Sequence, residues 1–138
     1  MADKLKLEVV TPYKTVLTDE VDEITATGAL GEFGILPGHA PFLTSLKVGE
    51  FCYKKDGVGV CMALNWGYLE VESDKVIILV ESAERADEID LDRAKAALGR
   101  AEEALKKLTP EDKKFKVYEA ALERALIRVQ VAGKAVRR

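Results

Sequence analysis

The 138-residue sequence contains one histidine, His39, and only two cysteines, Cys52 and Cys61. So few soft ligands nearly exclude a structural zinc site. A Ser-His-Asp arrangement is missing, and a Cys-His nucleophile would require a cysteine beside His39. The carboxylates Glu70 and Glu72 share a strand face that reads as solvent-facing. Long apolar runs are also missing. The longest strongly apolar one, Val76 to Val80, is far too short to span a membrane. The start, Met1-Ala2-Asp3-Lys4-Leu5, has no apolar stretch that could act as a secretory signal. The expectation is a soluble cytoplasmic chain without catalytic residues or a bound metal. In a reducing compartment, Cys52 and Cys61 are expected as buried free thiols in strands.

What is present is enough for a core. Apolar residues make up 48% of the chain and charged residues 33%, which suits a folded protein better than a disordered one. The formal charge of −3 hides a division at Glu88. Residues 1–88 hold 8 Lys+Arg and 16 Asp+Glu, a balance of −8. Residues 89–138 hold 13 and 8, a balance of +5, and the two sum to −3. An acidic first part is followed by a basic second part.

The first part alternates with period two. Leu5, Leu7 and Val9 point one way, and Lys4, Lys6 and Glu8 the other. Thr11-Pro12 breaks this run, and a second extended stretch holds Val21, Ile24 and Ala26. Further strands are expected over Gly49–Lys54, Val58–Leu64, Gly67–Glu72 and Lys75–Glu81. Turn chemistry divides them at Lys55-Asp56-Gly57, Asn65-Trp66-Gly67 and Ser73-Asp74. Trp66, Tyr13, Tyr53 and Tyr68 read as core or interface packing. Many short strands suggest a β-sandwich or flattened barrel.

Near Ile89 the period becomes helical. Leu91, Ala94, Leu98, Ala101, Leu105 and Leu108 form one seam; Phe115, Tyr118, Leu122, Ala125, Val129 and Ala132 form another. Between them Thr109 reads as an N-cap, Pro110 as the first helical residue, and Glu111-Asp112 as charges suited to the helix dipole. Gly133 reads as a stop. The expected architecture is a β domain over residues 1–86 and an antiparallel two-helix hairpin over residues 87–138. Alanines in both seams bury little area, and Gly99 costs roughly 1 kcal/mol relative to alanine. Such a hairpin is marginal alone, so it should dock and can detach.

Four arginines lie beside the seams. Arg93 has Asp90, and Arg100 has Glu103, three residues away. Arg124 and Arg128 have no carboxylate at neighbouring helical positions, and they repel each other by a few tenths of a kcal/mol. They are either solvated, paired with the acidic β domain, or set for an external anion, and guanidinium forks suit phosphate. The cluster Lys113-Lys114-Lys116 reads as a solvated face.

The segment Gly31-Glu32-Phe33-Gly34-Ile35-Leu36-Pro37-Gly38-His39-Ala40-Pro41-Phe42-Leu43 packs glycines and prolines around one histidine. It lacks the Lys-Ser/Thr of a phosphate-binding P-loop. It closely resembles the signature loop of the epsilon subunits of bacterial F-type ATP synthases. Ile89-Asp90-x-x-Arg93-Ala94 is similar to their ATP-binding motif. The resemblance covers essentially the whole chain.

That resemblance implies a non-catalytic rotor subunit that couples proton translocation to ATP synthesis. It implies peripheral attachment at the cytoplasmic face of the inner membrane. The β-sandwich would bind the gamma subunit and the ring of c subunits, with Glu32 and the region of His39 facing the ring. The hairpin would lie folded on the sandwich or extend along gamma into the alpha/beta catalytic head, where it inhibits ATP hydrolysis. No cofactor is required, but ATP would be a regulatory ligand. Arg93, Arg100, Arg124 and Arg128 would hold its phosphates, and Ile89, Asp90 and Ala94 its adenine. Glu84 matches an acidic position of the same site.

Two other classes compete. An enzyme lacks parts in this sequence. A stand-alone β-barrel module binding nucleotide or nucleic acid conflicts, for nucleic acid, with the −8 balance of the β part, because a phosphate backbone demands a basic groove.

Overall fold

Period-two alternation does become strands, and the change at Ile89 does become helix. A computed structural model describes residues 3–134. Met1 and Ala2 of the N-terminal reading lie outside the described residues. So do Arg137 and Arg138, which contribute to the basic balance. The strands are β1 (Leu5–Val10), β2 (Thr15–Val21), β3 (Glu23–Gly28), β4 (Gly31–Ile35), β5 (Phe42–Lys55), β6 (Val58–Glu72) and β7 (Lys75–Arg85). A 3-10 turn, Ala86–Glu88, leads to α1 (Leu91–Lys106) and α2 (Phe115–Ala132).

The strands hydrogen-bond in the order β2-β1-β7-β6-β5-β3-β4. The β1–β7 pair is parallel and every other pair antiparallel. One buried cluster draws Val21 from β2 and Ile35 from β4, at opposite edges of that order. It also holds Leu7, Phe51, Leu69 and Ile78. A flat sheet could not bring both edges to one core, so the sheet folds over itself as a sandwich. Leu5, Leu7 and Val9 are buried, as their alternation requires.

Two of the turns match their chemistry. Asp56 and Gly57 both have positive φ (52° and 81°) between the paired residues Lys55 and Val58, the requirement of a tight hairpin. Ser73 and Asp74 do the same between Glu72 and Lys75. Lys4 ties β1 to this architecture by bridging Asp22 and Asp56 at 2.5 and 3.1 Å. The Lys4 hydrogen bond, and then the Asp56 backbone N–H, hold the Asp22 carboxyl below its ordinary pKa.

The third expected turn is not one. Asn65-Trp66-Gly67 lies within β6, and the β6–β7 register continues from Asn65↔Ser82 to Gly67↔Val80. Gly67 serves close approach instead of reversal. A Cβ there would stand 1.9 Å from the Leu79 carbonyl oxygen.

The cysteines also differ from expectation. Cys52 and Cys61 are directly opposed on β5 and β6 and form a disulfide. They are half-buried, not fully buried free thiols. The Asp56-Gly57 turn sets the register that opposes them.

The hairpin forms with a later second helix. Helix α2 starts at Phe115, five residues beyond the expected Pro110 start. Thr109 does not cap it. The Asp112 carboxylate instead accepts the Thr109 backbone N–H at 2.8 Å and closes a separate turn. Gly133 does end α2. The buried seam positions are the alanines Ala94, Ala101, Ala125 and Ala132. Val131, Ala132, Ala94, Ile89 and Ala86 join Ala63 of β6 in a second, smaller cluster, which docks the hairpin on the outer face of the sheet. Among the described residues, no helix is long and apolar enough to cross a membrane.

Candidate functional site

A cleft of about 710 Å³ lies between the docked hairpin and the sheet. That is within the usual range of small-molecule sites. Its helical walls are mostly alanine (Ala97, Ala101, Ala104, Ala121 and Ala125), and these small side chains, two of them seam residues, leave the space open. Its polar lining is Asn65 and Ser82, with Glu84 of β7, Arg100 of α1, and Arg124 and Arg128 of α2. Three guanidiniums therefore face one carboxylate. The four-residue spacing of Arg124 and Arg128 puts both on the same side of α2.

Glu84 takes one of these charges. Its Oε1 lies 2.9 Å from Arg128 Nε, and its Oε2 accepts from a terminal Arg128 nitrogen at 3.3 Å. This pair spans β7 and α2, and both side chains are about a third exposed (28% and 38%). The pairing between basic hairpin and acidic β domain is thus realised at Arg128. Arg100 and Arg124 have no ion pair among the described residues. Glu103, three residues from Arg100 on α1, pairs with Lys106 at 3.1 Å.

The other sequence-predicted nucleotide residues lie elsewhere. Ile89 and Ala94 are buried in the docking cluster and do not line the cleft. Arg93 is exposed. Asp90 is the N-cap of α1, its carboxylate accepting the Arg93 backbone N–H at 3.1 Å, not the guanidinium. Asp90→Ala is expected to cost about 1 kcal/mol of stability, and Asp90→Asn much less, because Asn also caps. Thermal unfolding of the two variants checks this.

Asn65 is a site residue that sequence reasoning missed. Its amide nitrogen donates to Glu81 at 3.3 Å, while its Oδ1 is buried without a partner at the edge of the cleft. Its position next to Trp66-Gly67 suggested only a turn, so nothing in the local pattern pointed to a cleft.

The loop after β4 is built on a different end of the sandwich. Gly38 within it has positive φ (87°), as does Gly31 (125°) at the start of β4. The Asp74 carboxylate accepts the Gly38 N–H at 2.7 Å, pinning the loop to the β6–β7 turn. His39 is half-buried: its Nδ1 lies 2.7 Å from the Ala40 carbonyl oxygen and its ring 5.7 Å from that of Phe42. Glu32 is exposed on β4. Leu30, Leu36 and Leu43, near them in sequence, are also exposed. A separate apolar groove of about 690 Å³ is lined by Pro12, Trp66, Tyr68 and Leu79 among others. Trp66 and Tyr68 are therefore surface residues, whereas Tyr53 is core. Lys113, Lys114 and Lys116 are exposed, as are Glu70 and Glu72.

Residues 4–86 match the family described as ATP synthase, Delta/Epsilon chain, beta-sandwich domain. Residues 87–133 match ATP synthase, Delta/Epsilon chain, long alpha-helix domain. The chain is 81% identical over 138 residues to the ATP synthase epsilon chain of Geotalea daltonii, with all of both chains covered. It is 76% identical over the same length to that of Geobacter sulfurreducens, again with both chains fully covered. A chain in the Euglena gracilis mitochondrial ATP synthase structure (OSCP/F1/c-ring) has a TM-score of 0.81 at 24% identity, covering 94% of this chain and 81% of that one. At that identity the likeness speaks for the fold.

Proposed function

The chain belongs to the ATP synthase delta/epsilon chain family, and on that premise we propose that its hairpin is a nucleotide-responsive brake on ATP hydrolysis. It is an epsilon chain of the bacterial F-type enzyme, without catalytic residues of its own. The observation that carries the proposal is the cleft, in which Arg100, Arg124 and Arg128 converge with a single opposing carboxylate. A polyphosphate supplies the missing negative charge and suits guanidinium forks. ATP bound there touches both helices and the sheet, so it stabilises the folded hairpin over the extended one. Ile89, Asp90, Arg93 and Ala94 enter this reading through the family motif alone, and Ile89 and Ala94 serve the docked state by packing in the cluster that holds the hairpin on the sheet.

In the same reading the sandwich joins the central rotor at the inner membrane, peripherally, and couples proton translocation to ATP synthesis. The apolar groove at Trp66, Tyr68 and Leu79 docks the gamma subunit, because so large an exposed apolar surface calls for a protein partner. Glu32 and the His39 loop, with their exposed leucines, meet the c ring. The extended hairpin enters the alpha/beta head.

Truncation after Ala86, assayed in the assembled synthase, tests the brake. ATP hydrolysis faster than with the full chain is expected. An unchanged rate would contradict inhibition by the hairpin.

A further inference from the structure

The outer face of β5 and β6 beneath the end of α2 carries a disulfide. Cys52 and Cys61 point away from the core residues Phe51, Tyr53 and Met62, on the same face as Glu50 and Ala63. Cys61 packs against the cluster that holds Ala63, Val131 and Ala132 together. Lys134, just beyond α2, pairs with Glu50 through Oε1. That same oxygen lies 3.0 Å from Cys52 Sγ. The end of the hairpin thus rests on the disulfide and on its nearest carboxylate.

We propose that Cys52–Cys61 is a thiol–disulfide exchange site whose oxidation state sets how firmly the end of α2 is docked. The co-reactant is a dithiol reductant. One of its thiolates attacks a cysteine sulfur, breaks the Cys52–Cys61 bond and forms a mixed disulfide. Its second thiol then displaces the protein sulfur. The reductant leaves as a disulfide, and two electrons and two protons end on the chain as two thiols. Both cysteines are half-buried, so the reductant gains access when the end of α2 lifts.

The physical effect follows from what each state can donate. In the disulfide, Cys52 Sγ carries no hydrogen, so Lys134 holds Glu50 Oε1 without competition. In the dithiol, Cys52 gains a weak S–H donor within reach of that oxygen, 3.0 Å away, so Lys134 shares Glu50 Oε1 with a second donor. The two sulfurs also separate to non-bonded distance beneath Val131 and Ala132. Both changes loosen the dock. The arginine cleft has no part in them, so this site acts on the docked hairpin without requiring a nucleotide.

The test compares amide hydrogen exchange of the full chain, without nucleotide, before and after treatment with dithiothreitol. Thiol titration should find no free thiols before treatment and two after it. Exchange over residues 125–132 should then accelerate by about two- to fivefold, the range for losing one partly exposed ion pair. Exchange in β7 should not change. A Cys52→Ser/Cys61→Ser variant should exchange like the reduced chain and ignore dithiothreitol. The proposal is overturned by free thiols in the air-oxidised chain, by unchanged exchange over 125–132, or by equal acceleration in β7. A serine variant that still responds to the reductant would also overturn it.

Discussion

Gly67→Ala should destabilise the protein by on the order of 3 kcal/mol or more, among the largest effects of any single methyl group in this chain. The added Cβ would meet Leu79 O at 1.9 Å, Val80 Cα at 2.8 Å and the Leu79 carbonyl carbon at 2.9 Å. All three are backbone atoms, so no side-chain rotation relieves the collision. The β6–β7 ladder must part at Gly67↔Val80, beside the core residues Leu69 and Ile78. The same strain distorts the groove of Trp66 and Tyr68. The urea midpoint measures the loss. A shift equivalent to less than about 1 kcal/mol would mean that the strands do not approach as closely as described.

Arg124→Ala/Arg128→Ala should weaken ATP binding by about a hundredfold or more, since hydrogen bonds to charged groups contribute about 1.5–3 kcal/mol each. The two arginines do not act alike. Arg128 already holds Glu84, so its loss also strands a half-buried carboxylate and loosens the dock of α2. Arg124 is exposed and has no ion-pair partner among the described residues. Arg124→Ala alone therefore reports on the ligand with little effect on the hairpin. Unchanged ATP affinity in Arg124→Ala, measured by calorimetry, would remove Arg124 from the site.

Much of the fold is legible because burial imposes a period. Leu5, Leu7 and Val9 alternate because one sheet face is core, and the two helical seams recur at three and four because one stripe is covered. The errors come from residues whose chemistry serves two ends. Glycine allows both a reversal and a close approach, and only the partner strand shows that Gly67 serves the second. Thr109-Pro110 has the composition of a helix start, but Asp112 captures the Thr109 N–H and delays the helix to Phe115. The cysteine pair was readable in principle. A two-residue turn at Asp56-Gly57 places residue 52 opposite residue 61, a separation of nine. The expectation of free thiols rests on a reducing compartment and not on this register.

The site divides in the same way. Local spacing shows that Arg124 and Arg128 share a face without a carboxylate on their own helix. It cannot show that Glu84, 44 residues before Arg128, meets it, or that Arg100 and Asn65 line the same cleft. Those are long-range facts of docking. The charge division at Glu88 is the coarse trace of them. The acidic sheet and the basic hairpin meet through Glu84–Arg128 and Glu50–Lys134.

In the proposed reading, the cleft between the docked hairpin and the sheet takes a nucleoside triphosphate. Calorimetric titration of ATP into the full chain tests it most directly. A saturable heat reaching its plateau at or below millimolar ATP, and lost in Arg124→Ala/Arg128→Ala, is the predicted result. No saturable heat at millimolar ATP would contradict it.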